Sequence, residues 1–167
     1  MTRTVLFVCT GNTCRSAMAE GIFKKMLKER KEDNSSFNIL SAGISALPGI
    51  SPTPEAIKVM FEQGIDISQH HTQELREELI KKADLILVMA NEHKEYIYKE
   101  FPFAQNKTFL LKKFTLNNKT ESNQNNERNY EIIDPIGRKI EFYRIIAREL
   151  KENLEKLLDK IFEENNK

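Results

Sequence analysis

Both cysteines of the 167-residue chain lie in one short stretch, VLFVCTGNTCRSAMAE, in which Cys9 and Cys14 are followed at once by Arg15. Two cysteines at this spacing suit a metal clip, a disulfide, or a nucleophile with a neighbouring thiol. A four-cysteine zinc site is excluded because the chain has 2 cysteines, and none of its 3 histidines has ligand spacing relative to them. We therefore expect no metal. No apolar run is long enough for an export signal, so we expect a cytoplasmic protein, in which structural disulfides are rare.

The loop between Cys9 and Arg15 has the composition of an anion-binding loop. Five residues separate the thiol from the guanidinium: Thr10, Gly11, Asn12, Thr13 and Cys14. Such a loop, leading into a helix N-terminus, points successive backbone N–H groups inward as a nest for an anion. Arg15 closes the nest with a bidentate fork that suits phosphate oxygens. The positive potential favours the thiolate of Cys9, which predicts attack on phosphorus and a phosphocysteine intermediate.

Each chemical assignment has a structural alternative. Cys9 is also compatible with a small buried hydrophobic residue that ends a strand, which is the commoner fate of cysteine. Its setting at a strand-to-helix turn favours the nucleophile, and the loop contains no GxGxxG or GxxxxGK nucleotide fingerprint. Asn12 and Ser16 are expected to brace the loop. A phosphoenzyme route also needs a proton donor, for which Asp134 in IIDPIG is the candidate; an ordinary Asp-Pro turn is the alternative.

Strands and helices alternate along the chain. Strands are predicted over residues 4–9, 37–40, 85–89 and 107–111. Helices are predicted from residue 16, after an N-cap at 53 until Gly64, over 73–82 and 91–101, and from 139 into the 160s. This order implies right-handed βαβ units on one parallel sheet, whose sites lie beyond the carboxyl ends of the strands. The asparagine-rich residues 117–130 are predicted to form a solvated loop, and His93 is expected to face solvent.

Composition and net charge limit the kinds of protein that the chain can be. The hydrophobic share is 40%, the charged share 31%, and the formal net charge +1. These values predict one globular domain over residues 1–167, without a general field that attracts nucleic acid or membranes. We expect neither as a partner.

Three motifs together resemble the low-molecular-weight protein tyrosine phosphatase family over essentially the whole chain: VLFVCTGNTCRSAMAE, SAG at 41–43 and DP at 134–135. Within that family the bacterial protein arginine phosphatases are most similar, because their loop has the same CTGNTCRS form. The resemblance implies an α/β three-layer sandwich, with helices on both faces of a four-stranded parallel sheet of order 2-1-3-4. It also implies an enzyme without a cofactor.

The resemblance also implies roles for individual residues. Cys9 would be the nucleophile, Arg15 the phosphate clamp and Asp134 the general acid. Supporting hydrogen bonds to the loop are implied for four residues: Asn12, Ser16, Ser41 and His70. For His70, in DISQHH, a polar loop residue is the alternative.

Thr13 bears on the substrate. Tyrosine-specific members usually carry isoleucine there and arginine-specific members threonine, whose hydroxyl suits a polar guanidinium; a loop-bracing hydroxyl is the alternative. Ile136 and Gly137 follow the DP motif, where tyrosine-type members often have aromatic residues for stacking. The sequence thus predicts a phosphatase that removes phosphate from arginine in phosphorylated proteins and releases inorganic phosphate. A protein-tyrosine phosphatase is the alternative.

Two rival functions and one further role complete the predictions. Thioredoxin-linked arsenate reductases of this fold need cysteines downstream of the loop, and none follows Cys14. A non-catalytic phosphate-binding module would have little use for Cys9 and Asp134 together. Cys14 suggests a redox guard that traps oxidised Cys9 as a reversible disulfide, with simple packing under the loop as the alternative.

Overall fold

The computed structural model describes residues 2–30, 36–116 and 127–165. Its described strands form one parallel sheet of order β2-β1-β3-β4. The strands are β1 (Arg3–Cys9), β2 (Phe37–Gly43), β3 (Leu85–Val88) and β4 (Thr108–Leu110). The helices are α1 (Arg15–Glu29), α2 (Pro54–Glu62), α3 (Glu77–Lys82), α4 (Asn91–Glu100), α5 (Leu111–Phe114) and α6 (Ile140–Asn165). The predicted α/β sandwich and its strand order are confirmed.

The sheet is buried on both faces, which explains why its strands read as continuous apolar runs. Alternate residues of β1 point to opposite layers. Phe7 belongs to the core under α1, α2 and α6, whereas Leu6 and Val8 belong to the core under α3 and α4. None of the helices within the described ranges is long and apolar enough to span a membrane.

Helix boundaries follow local chemistry where the signals are strong. Thr53 caps α2 by accepting a hydrogen bond from the backbone N–H of Ala56 at 3.3 Å, and Pro54 occupies the first turn. Gly64, just beyond α2, has a φ of 71°, a left-handed conformation that glycine adopts without strain. The predicted end of this helix is thus confirmed.

Three element predictions were wrong. The strand predicted over 37–40 continues to Gly43, because its last three residues pair with the end of β1. The helix predicted over 73–82 begins only at Glu77, because the backbone before it pairs with the end of β2: Gly43 N–H donates to Gln73 O, and Leu75 N–H donates to Gly43 O. The strand predicted over 107–111 spans 108–110 and leads into α5, which the apolar pattern did not indicate. Of the predicted loop 117–130, residues 117–126 lie outside the described ranges and 127–130 form a short 3₁₀ turn.

Candidate active site

Cys9 ends β1, and its thiol lies buried at the base of the loop that leads to α1. The hydroxyl of Ser16 lies 2.9 Å from the Cys9 sulfur, and the backbone N–H of Asn12 points at the same sulfur from 3.3 Å. Ser16 Oγ accepts a hydrogen bond from Asn12 Nδ2 at 2.9 Å. For the hydroxyl proton of Ser16, the other acceptor is Ala42 O, which is 3.5 Å away and so farther than the sulfur. The serine proton is therefore directed at the sulfur. Both donors favour the anionic sulfur that a nucleophile requires.

Asn12 holds the loop in shape from within. It is fully buried and has a φ of 57°, a left-handed conformation that asparagine tolerates better than most residues. Besides Ser16, its Nδ2 donates to Ser41 Oγ at 2.9 Å, while its Oδ1 accepts from the backbone N–H of Gln73 at 3.0 Å. One side chain therefore ties the loop to β2 and to the segment before α3.

His70 and Ser41 extend this support. His70 Nε2 lies 3.2 Å from both the backbone oxygen and the Oδ1 of Asn12. Ser41 Oγ donates to Glu20 Oε2, and His70 Nδ1 lies 3.8 Å from the same carboxylate oxygen. Burial lowers the pKa of His70, an effect that the Glu20 carboxylate opposes. The structure thus brings both predicted support residues to the loop and adds Glu20, which sequence reasoning missed.

Steric contacts explain why the SAG motif ends in glycine. A Cβ atom at Gly43 would lie 2.5 Å from the backbone oxygen of Thr10 and 2.9 Å from the backbone nitrogen of Asn12. Neither atom can move without distorting the loop. Glycine at the end of β2 therefore lets the loop pack directly against the sheet.

Arg15 begins α1, and its guanidinium is buried among three acceptors. Nη1 donates to the backbone oxygen of Ile132 at 3.0 Å, while Nη2 donates to Asp134 Oδ2 at 3.0 Å and to Thr10 Oγ1 at 3.4 Å. The Nε donor is buried and has no partner among the described residues. The guanidinium thus keeps a free donor on a positively charged group, which is what an anion would satisfy.

The loop backbone has spare donors of the same kind. Within residues 2–30, 36–116 and 127–165, no protein acceptor takes the N–H groups of Gly11, Thr13 or Cys14. A cavity of about 170 Å³ opens over the loop, and it has eight lining residues: Cys9, Thr10, Gly11, Thr13, Cys14, Arg15, Asp134 and Ile136. The predicted nucleophile, clamp and acid therefore line one cavity that is rich in hydrogen-bond donors.

Asp134 reaches this cavity from a segment 119 positions after Arg15. Its Oδ1 accepts from the backbone N–H of Ile136 at 3.2 Å, which is the Asp-Pro turn named above as the alternative to a catalytic role, and its Oδ2 pairs with Arg15. The side chain is 41% exposed. The turn and the site are thus compatible, since one carboxylate oxygen shapes the backbone and the other faces the cavity.

Thr13 and Cys14 both line the cavity, but they differ in their further contacts. Thr13 lines the cavity, although its Oγ1 also lies 3.6 Å from Cys14 Sγ. Cys14 is buried, with its sulfur 3.5 Å from Thr53 Oγ1 and 3.6 Å from Tyr143 OH. Burial raises the pKa of Cys14, which keeps it as a protonated thiol at neutral pH. Both cysteines are free thiols.

The expectation that His93 faces solvent was wrong. Its side chain is fully buried in the first turn of α4, where Nδ1 accepts from the backbone N–H of Ala90 at 3.0 Å and Nε2 lies 2.9 Å from Thr10 Oγ1. Burial, reinforced by the charge of Arg15, lowers the pKa of His93 to about 3. The overlooked signal was its position: α4 starts at the carboxyl end of β3, beside the end of β1.

The described residues hold no group of three or more histidine, cysteine or carboxylate side chains arranged to bind a metal ion. The site therefore offers a thiol, a guanidinium, a carboxylate and backbone amides as its chemical groups. Together they suit a covalent displacement at a tetrahedral oxyanion.

Comparison with known proteins leads to the same chemistry. The profile of the family described as "Low molecular weight phosphotyrosine protein phosphatase" matches residues 4–167. The chain belongs to this family. A protein-arginine-phosphatase of Bacillus subtilis is 38% identical over 153 residues, which are 92% of this chain and 93% of that protein. The family and its fold are therefore established over nearly the whole chain, and the protein is a cysteine-dependent phosphatase.

Two solved structures are also similar. One is described as a YwlE arginine phosphatase in which a cysteine-to-serine mutation leaves a phosphorylated active-site serine; it has a TM-score of 0.82 and 35% identity, covering 95% of both chains. The other is a low-molecular-weight protein tyrosine phosphatase from T. tengcongensis, with a TM-score of 0.82 and 39% identity over 95% of this chain and 99% of that one. Overall similarity in fold and sequence thus does not separate arginine-type from tyrosine-type members. Substrate specificity must be inferred from the residues of the site.

Proposed function

We propose that this protein is a phosphatase of the cytoplasm that hydrolyses phosphoarginine in phosphorylated proteins and releases inorganic phosphate. The observation that carries the proposal is the arrangement around Arg15. Its buried Nε donor is unpartnered within the described residues, and the guanidinium, bonded to Asp134, lines one cavity together with Cys9. A phosphoryl group bound there meets a clamp, a nucleophile and an acid at once.

The first step is attack by Cys9. Phosphoryl oxygens accept hydrogen bonds from the free N–H groups of the loop and from Arg15 Nε. Binding of the phosphoryl group thereby breaks the bond between Arg15 Nη2 and Asp134 and makes the carboxyl group available for catalysis. The sulfur forms a bond to phosphorus while the bond from phosphorus to the arginine nitrogen breaks. Asp134, which takes up a proton from solvent once its ion pair with Arg15 has broken, donates that proton to the nitrogen, so the arginine leaves with its guanidinium charge restored. Ser16 and Asn12 stabilise the sulfur as it carries charge.

The second step returns the enzyme to its starting state. Asp134, now a carboxylate, takes a proton from a water molecule that attacks phosphorus. The sulfur–phosphorus bond breaks, Cys9 leaves as thiolate toward the Ser16 hydroxyl, and inorganic phosphate is released. The relative with a phosphorylated active-site serine supports the covalent route, because serine in the cysteine position holds a phosphoryl group.

Direct turnover tests the proposal. Wild-type protein is expected to release inorganic phosphate from a phosphoarginine peptide faster than from the matched phosphotyrosine peptide. If phosphotyrosine were the better substrate, the protein would be a tyrosine phosphatase. If arsenate instead oxidised thioredoxin in its presence, the protein would be an arsenate reductase. Phosphate binding without any turnover would identify a binding module.

The choice of arginine over tyrosine rests on the cavity wall. Thr13 contributes to the cavity wall, and Ile136, which is 59% exposed, follows the DP motif in place of an aromatic residue. A hydroxyl suits the polar guanidinium, whereas a phosphotyrosine ring gains little from a wall without aromatic residues.

Thr13→Ile tests this wall. The substitution replaces the hydroxyl with an apolar branch, and we expect it to lower the ratio of kcat/KM for phosphoarginine over phosphotyrosine peptides by about tenfold. The measurement is kcat/KM for both peptides in both proteins. Thr13→Val is the matched control, since it removes the hydroxyl with little added volume. An unchanged ratio in Thr13→Ile would show that the hydroxyl only braces the loop.

Cys14 fits a protective role for the nucleophile. Peroxide converts the Cys9 thiolate to a sulfenic acid, which Cys14 attacks to form a disulfide and release water, and a dithiol later restores both thiols. Cys9 and Cys14 line the same cavity over the loop. A free-thiol pair of this kind requires a reducing environment, which is consistent with the cytoplasm.

The pKa of Cys14 sets the rate of this ring closure. Because burial raises that pKa above the ordinary value of 9.0, little thiolate is present at neutral pH, and disulfide formation should speed up about tenfold per pH unit below the pKa. The rate is measured by quenched thiol alkylation after a peroxide pulse. Activity that returns with dithiol equally well in Cys14→Ser would contradict the protective role.

A further inference from the structure

We propose that His93 is a positioning residue that acts through the hydroxyl of Thr10 on the guanidinium of Arg15 and thereby sets the affinity of the loop for phosphoryl oxygens. The inference rests on the proposed function of Arg15 as the phosphoryl clamp. His93 itself does not touch the reacting atoms. Its effect passes along two hydrogen bonds, from Nε2 to Thr10 Oγ1 and from Arg15 Nη2 to the same oxygen.

The tautomer of His93 follows from its contacts. Nδ1 accepts the backbone N–H of Ala90 at 3.0 Å, so this nitrogen carries no proton. Burial and the positive charge of Arg15 keep the ring neutral at physiological pH, although Glu92 Oε1 lies 3.4 Å from Nε2, and the single proton is on Nε2. His93 is therefore a hydrogen-bond donor to Thr10 Oγ1 at 2.9 Å.

Thr10 converts this donation into an oriented acceptor. Its Oγ1 receives Nε2–H of His93 and, at 3.4 Å, Nη2–H of Arg15, so its lone pairs face the two donors. Its own proton then points to the exposed carboxylate of Glu92, 3.4 Å away. Without His93 the hydroxyl is free to rotate, and it can aim its proton at the guanidinium instead of a lone pair.

The consequence appears when substrate binds. Of the three acceptors that hold Arg15, Asp134 is the one that leaves to serve the departing nitrogen. Ile132 O on Nη1 and Thr10 Oγ1 on Nη2 then keep the plane of the guanidinium in place. The buried, neutral His93, which donates to Thr10, therefore keeps the Arg15 guanidinium oriented for phosphate after the ion pair between Arg15 and Asp134 has broken.

Histidine fits this position better than the residue usual at the third position of a capped helix. A glutamate would still accept the Ala90 N–H but would offer Thr10 no proton, and its charge would compete with phosphate for Arg15. The imidazole supplies an acceptor at one end and a donor at the other without a charge. Glutamine shares that property, which makes it the conservative replacement.

Inhibition by inorganic phosphate, measured with an aryl phosphate substrate, tests the inference. His93→Leu and Thr10→Val are each expected to raise the inhibition constant for phosphate about tenfold, whereas His93→Gln retains a value near wild type. The double variant His93→Leu with Thr10→Val should be no worse than either single variant, since both remove the same link. Thr10→Val leaves the cap of α4 intact, so the test stands even if His93→Leu fails to fold.

A matched control separates positioning from helix stability. Ile97→Val changes a buried residue of α4 that belongs to the core with Leu6 and Val8, whereas Cys9 belongs to the core on the other face of the sheet; it is expected to lower Tm while leaving the phosphate inhibition constant unchanged. If Ile97→Val moves that constant as much as His93→Leu does, or if the effects of His93→Leu and Thr10→Val add, the inference is wrong. Wild-type protein that neither turns over the aryl phosphate nor binds phosphate would refute the proposed function instead.

Discussion

Replacing Cys9 with serine is expected to lower kcat by about 10⁴-fold or more and to trap a phosphoryl group on the new hydroxyl. The sulfur lies 2.9 Å from Ser16 Oγ and 3.3 Å from the backbone nitrogen of Asn12, two donors that favour an anion. A serine hydroxyl stays protonated there, so it attacks slowly. Once phosphorylated, its oxygen is a poorer leaving group than sulfur, and the intermediate accumulates.

Intact-mass spectrometry after incubation with a phosphoarginine peptide checks this result, alongside release of inorganic phosphate. Cys14→Ser is the matched control, because it makes the same atomic change in the same loop, and it should keep turnover within a few-fold of wild type. Cys9→Ser protein that turns over at a rate close to wild type, without a phosphoserine, would show that another group attacks phosphorus.

Asp134→Asn is expected to lower kcat for phosphoarginine by about 10²–10⁴-fold, the usual contribution of a positioned acid. It should also strengthen inhibition by inorganic phosphate several-fold. The reason is the 3.0 Å ion pair between Asp134 and Arg15, which phosphate must break before it binds the clamp. A neutral amide competes less for the guanidinium, so the two effects have opposite signs: chemistry slows while anion binding improves.

Leaving-group dependence gives the sharper readout for Asp134. An aryl phosphate with an acidic phenol needs little protonation, so its kcat should fall much less than that for phosphoarginine. Asp159→Asn, which removes a surface carboxylate 3.1 Å from Arg30, is the matched control and should leave both rates unchanged. An equal loss for both leaving groups in Asp134→Asn would mean that Asp134 shapes the loop rather than donating a proton.

The fold could be predicted wherever local patterns were unambiguous. A continuous apolar strand, a glycine-containing turn and an amphipathic helix indicated β1, the loop and α1, and Thr53 with Pro54 marked the start of α2. The wrong element predictions arose where a neighbour in space outweighed local preference. Residues 73–75 pair with Gly43 because the edge of β2 offers unpaired backbone groups, and no pattern within the segment reports that edge.

For the site, nearby residues were easier to predict than distant ones. Cys9, Asn12, Arg15 and Ser16 belong to one loop, so their types and spacing already indicated an anion nest with a thiol at its base. His93 was missed because a single histidine on a helix carries no mark of burial. Its contact with Thr10 depends on two parallel strands that place the start of α4 beside the end of β1.

Local chemistry along the chain thus sufficed to predict the loop and to single out the proposed nucleophile and clamp on it, because covalent neighbours within one turn cannot lie far apart. The contacts that bring distant groups to that loop were decided by the packed fold: Asp134 on Arg15, Ser41 and His70 around Asn12, and His93 behind Thr10. Those distances depend on strand register and on which side chains the core excludes from water. Such quantities are properties of the assembled sheet and its helices, and no single segment contains them.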